Sequence, residues 1–173
     1  MTKTARTASN SDIIQLILED HKSLKKLIRT LKDTDKDISE RMIAFEEFAP
    51  LLVTHAKPEE EVLYRALKKE EDLREEGFEG DVEHGLADQL LEEAKRTTED
   101  EDLWSARVKV LAELVEHHIE EEEETMLPKY RQHSSSEDRS ALGQKFLRLK
   151  EKLEEMGGDD TVPEESVEQH VSH

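Results

Sequence analysis

Histidine and glutamate residues recur at one fixed distance in the two halves of this sequence. The repeated pairs, each 63 residues apart, are His21 with His84, His55 with His118 and Glu59 with Glu122. The segment HAKPEEEVLY of the first half lies over HIEEEEETML of the second half in the same alignment. Recurrence at a single offset indicates an internal repeat, so we expect two copies of one helical hairpin.

Apolar residues follow helical spacing in the segment SDIIQLILEDHKSLKKLIRTLK. Steps of three and four residues are typical of a helix packed lengthwise in a bundle. The predicted seam is Ile14, Ile17, His21, Leu24, Ile28 and Leu31. Ser11 or Asn10 is the candidate N-cap, since both side chains can accept a backbone hydrogen bond.

A second helix is expected from about Ser39 to Glu70, behind a capping box formed by Asp37 and Glu40. Its predicted inner face is Phe45, Phe48, Leu52, His55, Glu59, Val62 and Ala66. Pro58 lies inside this helix and lacks a backbone N–H, so we expect a kink or a break beside His55.

Three more helices are expected in the rest of the chain. The third follows REEGFEGD and aligns His84, Ala87, Leu91 and Ala94. The fourth opens near Thr98, whose spacing to Glu101 resembles a capping box, and ends at about Pro128. The inner face of the fourth is Val108, Leu111, Leu114, Val115, His118, Glu122 and Met126. A shorter fifth helix runs through Leu142, Phe146, Leu149, Leu153 and Met156.

The composition supports an all-α fold, because 40% of the residues are charged, only 4% are aromatic, and Gly and Pro are few. The length favours one domain, which we place at residues 11–156. Residues 157–173 start with glycine, are acidic and have few large apolar side chains, so we expect a disordered tail.

The charge and the residue types present exclude several classes of function. A formal net charge of -19 argues against nucleic acid and anionic membrane surfaces as partners. The absence of cysteine excludes thiolate metal sites and a cysteine nucleophile. No apolar run approaches the ~20 residues needed to span a bilayer, and the N-terminus lacks the apolar middle of a secretory signal, so we expect a cytoplasmic protein.

Residues four apart on a helix share a face, so each His-x-x-x-Glu pair directs two possible ligands towards one point. The predicted metal ligands are His21, His55, Glu59, His84, His118 and Glu122. Imidazole nitrogens and carboxylate oxygens together suit iron or another first-row metal, with zinc and manganese as alternatives. Two carboxylates are the right number to bridge two metal ions.

The neighbouring polar residues are expected to play lesser roles. His117 is placed at the bundle edge, because the residues four before and four after it are Glu113 and Glu121. The same steps from His118 give Leu114 and Glu122, with Leu111 and Met126 further along. The remaining glutamates of the run, Glu120, Glu121, Glu123 and Glu124, are expected on the solvated surface. His133, His170 and His173 are expected to be exposed. Trp104 and Tyr64 are assigned to packing, with a hydrogen bond from Tyr64 to Glu59 as the alternative.

The pattern over about Ser11 to Tyr130 resembles the hemerythrin-like, HHE cation-binding family. The matching elements are His21, the segment HAKPEEEVLY from His55, the Glu83–His84 pair, and the segment HIEEEEETMLP from His118. The resemblance implies a four-helix up-down bundle around a non-haem di-iron centre with an oxo or hydroxo bridge. It also implies that His21 and His55 serve one iron, that His84 and His118 serve the other, and that Glu59 and Glu122 bridge them.

One position departs from the oxygen-carrying members of the family. Where they have a further histidine one turn after the third-helix ligand, this chain has Asp88. Asp88, water or an external ligand is then expected to complete the second iron, which argues against simple reversible O2 carriage.

The resemblance favours a di-iron protein that binds O2, peroxide or nitric oxide for stress defence or sensing, with peroxide decomposition of the catalase type as an enzymatic form. The alternative is an iron-responsive module whose folding depends on metal and which signals to a protein partner without catalysis. A third interpretation is an acidic structural bundle without metal.

Overall fold

The computed structural model describes residues 11–97 and 99–157 of the chain, and these residues contain helices and turns but no β-strand. The all-α prediction is therefore confirmed. The α-helices are α1 (Ile13–Lys32), α2 (Ile38–Glu59), α3 (Arg65–Leu67), α4 (Arg74–Arg96), α5 (Glu101–Glu121), α6 (Leu127–His133) and α7 (Ser136–Glu155). Two π-helical turns, Glu60–Tyr64 and Glu122–Met126, continue α2 into α3 and α5 into α6. A 3-10 turn, Glu71–Leu73, precedes α4.

The long helices pack side by side. Helix α1 contacts α2, α5 and α7, while α4 packs along α5 and against the first π turn. Helix α7 lies against α1 and α2. None of the described helices has both the length and the apolar character needed to cross a membrane.

Acidic side chains cap two of the helices. Asp12 accepts a hydrogen bond from the Ile14 N–H at 2.9 Å, so Asp12 and not Ser11 is the N-cap of α1. Asp100 caps α5 in the same way, by accepting from the Leu103 N–H at 2.9 Å. Asp37 holds the N-cap position of α2 as predicted, but its side chain makes no capping hydrogen bond. Asn10 and Thr98, the other candidate caps, lie outside the described residues, as does the predicted tail from residue 158.

Two apolar clusters fill the interior. One includes Leu24, Leu52 and Val115, and the other includes Ile17 and Tyr64. Along α1, His21 lies between Ile17 of one cluster and Leu24 of the other. The predicted seam of α1 is buried at every position. The fold therefore encloses a polar layer between two apolar layers.

The predicted course of the second helix was wrong after Glu59. Helix α2 stays regular through Pro58 to Glu59, and the break expected beside His55 is instead the π turn that follows. A π turn inserts one extra residue into the helical register. Leu63 and Leu67 consequently become fully buried, whereas Ala66, predicted on the inner face, is only half-buried.

Two other predicted boundaries were also wrong. Helix α4 starts at Arg74, so the glycines of REEGFEGD lie within the helix. Gly80 is required there by packing, since a Cβ atom at this position would lie 2.5 Å from Tyr64 Cζ. Pro128 lies in the first turn of α6 and does not end the helix, because a proline in that position needs no N–H donor.

Candidate metal centre

The structure brings the six predicted ligands together in the polar layer. They are contributed by α1, α2, α4, α5 and the second π turn. All six are buried, with exposures between 0 and 7%. Glu59 is the last residue of α2 and Glu122 is the first residue of the second π turn, so each His-x-x-x-Glu pair leads directly into a π turn.

The six residues form two groups that share Glu59. His21, His55, Glu59 and Glu122 present donor atoms within 4.8 Å of one another, and so do Glu59, His84 and His118. We refer to these as the first and second groups.

Each glutamate directs one oxygen towards each group. Glu59 Oε2 lies 3.4 Å from His55 Nε2, and Glu59 Oε1 lies 3.4 Å from His84 Nε2. Glu122 Oε2 lies 3.2 Å from His21 Nε2, and Glu122 Oε1 lies 3.2 Å from His118 Nε2. Both carboxylates are thus placed between two sets of imidazoles.

Three buried ligand atoms make no hydrogen bond among the described residues: His21 Nε2, Glu59 Oε2 and Glu122 Oε2. His21 Nε2 and Glu122 Oε2 lie 3.2 Å apart but are not hydrogen-bonded to each other. All three face the first group. Burying polar atoms without partners is costly, on the order of 1–3 kcal/mol for each group. A cation bound among these atoms would satisfy them, and mixed imidazole and carboxylate donors suit a first-row metal ion. The residues present therefore fit a metal ion.

A second set of carboxylates holds the other ring nitrogen of every candidate histidine. The Nδ1 atoms of His21, His55 and His84 lie 3.1, 3.1 and 2.9 Å from Glu123, Asp20 and Glu60, respectively. His118 Nδ1 makes the equivalent contact with Glu83. When a carboxylate accepts the Nδ1 proton, the Nε2 lone pair is directed inwards, as a metal ligand requires.

These outer carboxylates follow the same repeat as the inner residues. Asp20 and Glu83 are 63 residues apart, and so are Glu60 and Glu123. No hydrogen-bonding role was predicted for any of the four from the sequence, although the common offset was the signal that could have found them. The prediction that Glu123 lies on the solvated surface was wrong. Its side chain is only 26% exposed and also pairs with Lys25 at 2.5 Å.

Tyr64 reaches the middle of the second group. Its Oη atom lies 2.6 Å from both Glu59 Oε1 and Glu122 Oε1. The same atom lies 2.9 Å from His118 Nε2 and 3.0 Å from His84 Nε2. The alternative expectation, a hydrogen bond to Glu59, is confirmed, and the structure adds three contacts that the sequence did not predict.

Other candidate residues lie away from the centre. His117 is 64% exposed and pairs with Glu121 at 3.3 Å, which agrees with the prediction that His118 faces inwards. Glu120, Glu121, Glu124 and His133 are exposed as expected. Asp88 directs its carboxylate to Lys57 at 2.6 Å and is half-buried. His170 and His173 lie outside the described residues.

Charges within the centre shift the pKa values of several side chains. Burial opposes the charge on Glu122, but His118 and His21 outweigh it and hold the pKa of this carboxyl well below its usual range. Burial opposes protonation of His84, yet Glu59 and Glu60 outweigh it and raise the pKa of the imidazole to about 9. Burial, reinforced by the two glutamates, raises the pKa of Tyr64 well above its usual range.

A cavity of about 110 Å³ adjoins the second group. Its lining includes Gly80, Glu83, His118 and Glu122. Two of these residues, His118 and Glu122, are candidate ligands, so a small molecule in the cavity would lie beside the second group.

Comparison with known proteins agrees with the residues found in the centre. The family described as Hemerythrin HHE cation binding domain matches residues 12–130, which include all six candidate ligands. A protein named DNA nickase from Nostoc sp. (strain PCC 7120 / SAG 25.82 / UTEX 2576) is 29% identical over 156 residues. That alignment covers 87% of this chain but 42% of the Nostoc protein, so the chain spans less than half of the relative's length. No solved structure gives a significant match.

Proposed function

Because this chain belongs to the hemerythrin HHE cation-binding family, we propose that its buried histidines and glutamates hold two iron ions that bind O2, peroxide or nitric oxide. Stress defence or sensing is the proposed role. The observation that carries the proposal is the placement of Glu59 and Glu122, each with one oxygen directed towards each histidine group. Three buried ligand atoms of the first group that make no hydrogen bond among the described residues give further support.

Each proposed ion has its own pair of histidines. His21 and His55 would hold the first ion, His84 and His118 would hold the second, and Glu59 and Glu122 would be shared. The bound irons would supply redox-active metal with coordination positions open to small oxidants. Zinc and manganese are the alternative ions, because histidine and carboxylate also accept them.

The protein's own residues would orient the ligands and control access. The four outer carboxylates hold the Nδ1 protons and so fix each imidazole with Nε2 facing the centre. The apolar clusters on both sides limit the access of water. The cavity beside His118 has a volume of about 110 Å³, which suits a ligand of a few atoms.

The proposal is tested by metal analysis and optical spectroscopy of protein purified from iron-supplied cells. We expect two irons per chain and a charge-transfer spectrum that changes when peroxide or nitric oxide is added. His118→Ala should lose iron and the spectral response, whereas His117→Ala, the matched control at the neighbouring exposed position, should keep both. Iron-loaded protein that ignores O2, peroxide and nitric oxide would refute the ligand-binding proposal.

Peroxide decomposition is the enzymatic form of this proposal, and oxygen evolution from added peroxide is its direct assay. Sustained evolution that His118→Ala abolishes and His117→Ala retains would support catalysis at the centre. A spectral response without turnover would favour sensing.

The second candidate function is an iron-responsive module without catalysis. Glu59 and Glu122 lie close enough for the charge of one to oppose ionisation of the other, and a bound cation would relieve this repulsion. Iron would then stabilise the folded state and could signal its presence to a protein partner. Protease resistance that is the same before and after chelation would contradict this candidate.

The name of the Nostoc relative raises the question of DNA as a substrate. We propose that this chain does not act on nucleic acid, since its formal net charge is -19 and DNA is a polyanion.

A further inference from the structure

We propose that Tyr64 is a seventh metal ligand, which binds the second ion through its phenol oxygen. This inference rests on the proposed function, because it assumes that the centre holds metal.

The first argument is the position of Tyr64 Oη within the second group. Four donor atoms from Glu59, Glu122, His84 and His118 surround it at 2.6–3.0 Å. A phenol has a single proton to donate, yet two carboxylate oxygens lie at 2.6 Å from it. One proton cannot satisfy both, whereas a cation among these five atoms would attract all of them.

The second argument is the donor set of the second ion. Asp88, the acidic residue at the position of the additional family histidine, pairs with Lys57 at 2.6 Å instead of facing the centre. Tyr64 is buried at 0% exposure and places its phenol oxygen beside His84 and His118, the two histidines of the second group. The phenol oxygen of Tyr64, at the end of the π turn that follows α2, is therefore available as a ligand of the second ion.

The third argument is that the fold makes room for this side chain. The π turn at Glu60–Tyr64 changes the helical register so that Tyr64 faces inwards. Gly80 on α4 lacks the Cβ atom that would lie 2.5 Å from the Tyr64 ring. At the equivalent positions of the other half, 63 residues away, Leu127 replaces Tyr64 and Ile17 replaces Gly80. The phenol of the first half and the space for it in the second half therefore meet at one of the two repeat-related places, and the other place has Leu127 and Ile17.

Binding would exchange one proton for one cation. The cation takes the place of the phenol proton on Oη, and the proton is released to solvent as the ion loads. The resulting phenolate is an anionic oxygen ligand, so by Coulomb attraction it favours iron(III) over iron(II) at the second position. The first group has Leu127 at the corresponding position, so the two irons would differ in their electronic properties.

Resonance Raman spectroscopy of iron-loaded protein, excited in the visible charge-transfer band, tests this inference. The chain has two tyrosines, and Tyr130 is the matched control because it is also buried and belongs to the same apolar cluster as Tyr64. We expect tyrosinate vibrations in the unmodified protein and in Tyr130→Phe. Tyr64→Phe should lose them completely while metal analysis still finds iron.

The outcomes separate this inference from the proposed function. If the unmodified protein binds two irons and responds to peroxide but shows no tyrosinate vibrations, Tyr64 is not a ligand and the proposed function stands. If no iron binds, the proposed function fails and the inference fails with it. If Tyr64→Phe does not load with iron, vibrations that persist in Tyr130→Phe still assign the ligand to Tyr64, and vibrations lost in Tyr130→Phe overturn the assignment.

Discussion

Replacing Gly80 by alanine tests the close packing of α4 against the Tyr64 ring. The added Cβ atom would lie 2.5, 2.7 and 3.0 Å from Tyr64 Cζ, Cε2 and Cε1, respectively. Carbon atoms in favourable contact are about 3.5–4.0 Å apart, so ring and helix must separate by roughly 1 Å. The contacted atoms belong to a buried, hydrogen-bonded ring, which cannot rotate away as a surface side chain would.

The expected cost follows from two opposing effects. Alanine in place of glycine stabilises a helix by about 1 kcal/mol, and overpacking a filled interior costs about 1–3 kcal/mol. Gly85 is the matched control, because it lies in the same helix and an added Cβ would meet no atom within 4 Å. Gly85→Ala should raise the free energy of unfolding by about 1 kcal/mol. Gly80→Ala should be about 1–3 kcal/mol less stable than Gly85→Ala.

Urea denaturation followed by far-UV circular dichroism measures both free energies of unfolding under the same conditions. A third variant removes the ring: Tyr64→Leu copies the residue found at Leu127, and in its presence Gly80→Ala should lose most of its cost. Equal stability of Gly80→Ala and Gly85→Ala in the otherwise unmodified protein would refute the argument that Gly80 is present to accommodate Tyr64.

Four further outcomes are expected. In metal-free protein, protonation of His84 should contribute about 3 kcal/mol of stability that is lost as pH rises from 6.5 through about 9, because the pKa of this imidazole is raised to about 9. Urea denaturation of the unmodified protein and His84→Gln at several pH values measures the difference. Metal-loaded protein should show the opposite trend, since ligation requires neutral imidazole. Lys150→Met should lower the free energy of unfolding by about 1–3 kcal/mol by leaving buried Asp20 without its lysine, whereas exposed Lys145→Met should change it by less than about 0.5 kcal/mol. Chelation should lower the melting temperature, corresponding to about 3 kcal/mol if metal is present at a hundred times its dissociation constant, and calorimetry of both forms checks this. Supercoiled plasmid incubated with metal-loaded protein should remain intact on agarose gels, and conversion to the nicked form would contradict the exclusion of nucleic acid.

The long helices and the inner residues of the centre were predictable because burial shows directly in the sequence period. His21 continues the spacing that runs from Ile14 to Leu31, and every residue of this seam is buried. The same reasoning distinguished His118 from the adjacent His117, since the residue four positions earlier is Leu114 for His118 and Glu113 for His117. Helical geometry alone relates such positions, so no tertiary contact had to be known.

The departures arise where tertiary packing overrides local preference. The π turns were missed because the period was continued at 3.6 residues, which placed Ala66 inside in place of Leu67. Gly77 and Gly80 were placed before the third helix, whereas the structure has both within α4, where they pack closely on Lys68 and Tyr64. Glu123 was assigned to the surface because nothing local indicates that His21, on another helix, would need a carboxylate.

The repeat explains most of the centre, and one exchange within it makes the two histidine groups differ. Inner ligands and outer carboxylates correspond at a single offset, so two equal metal positions would follow if the correspondence were complete. The correspondence fails at two pairs of aligned positions, where Gly80 corresponds to Ile17 and Tyr64 corresponds to Leu127. The small residue admits the ring, and the cavity of about 110 Å³ is lined by the same Gly80 together with His118. The lining of this cavity includes His118 and lacks His21 and His55, so a small ligand in it would reach the second ion and not the first.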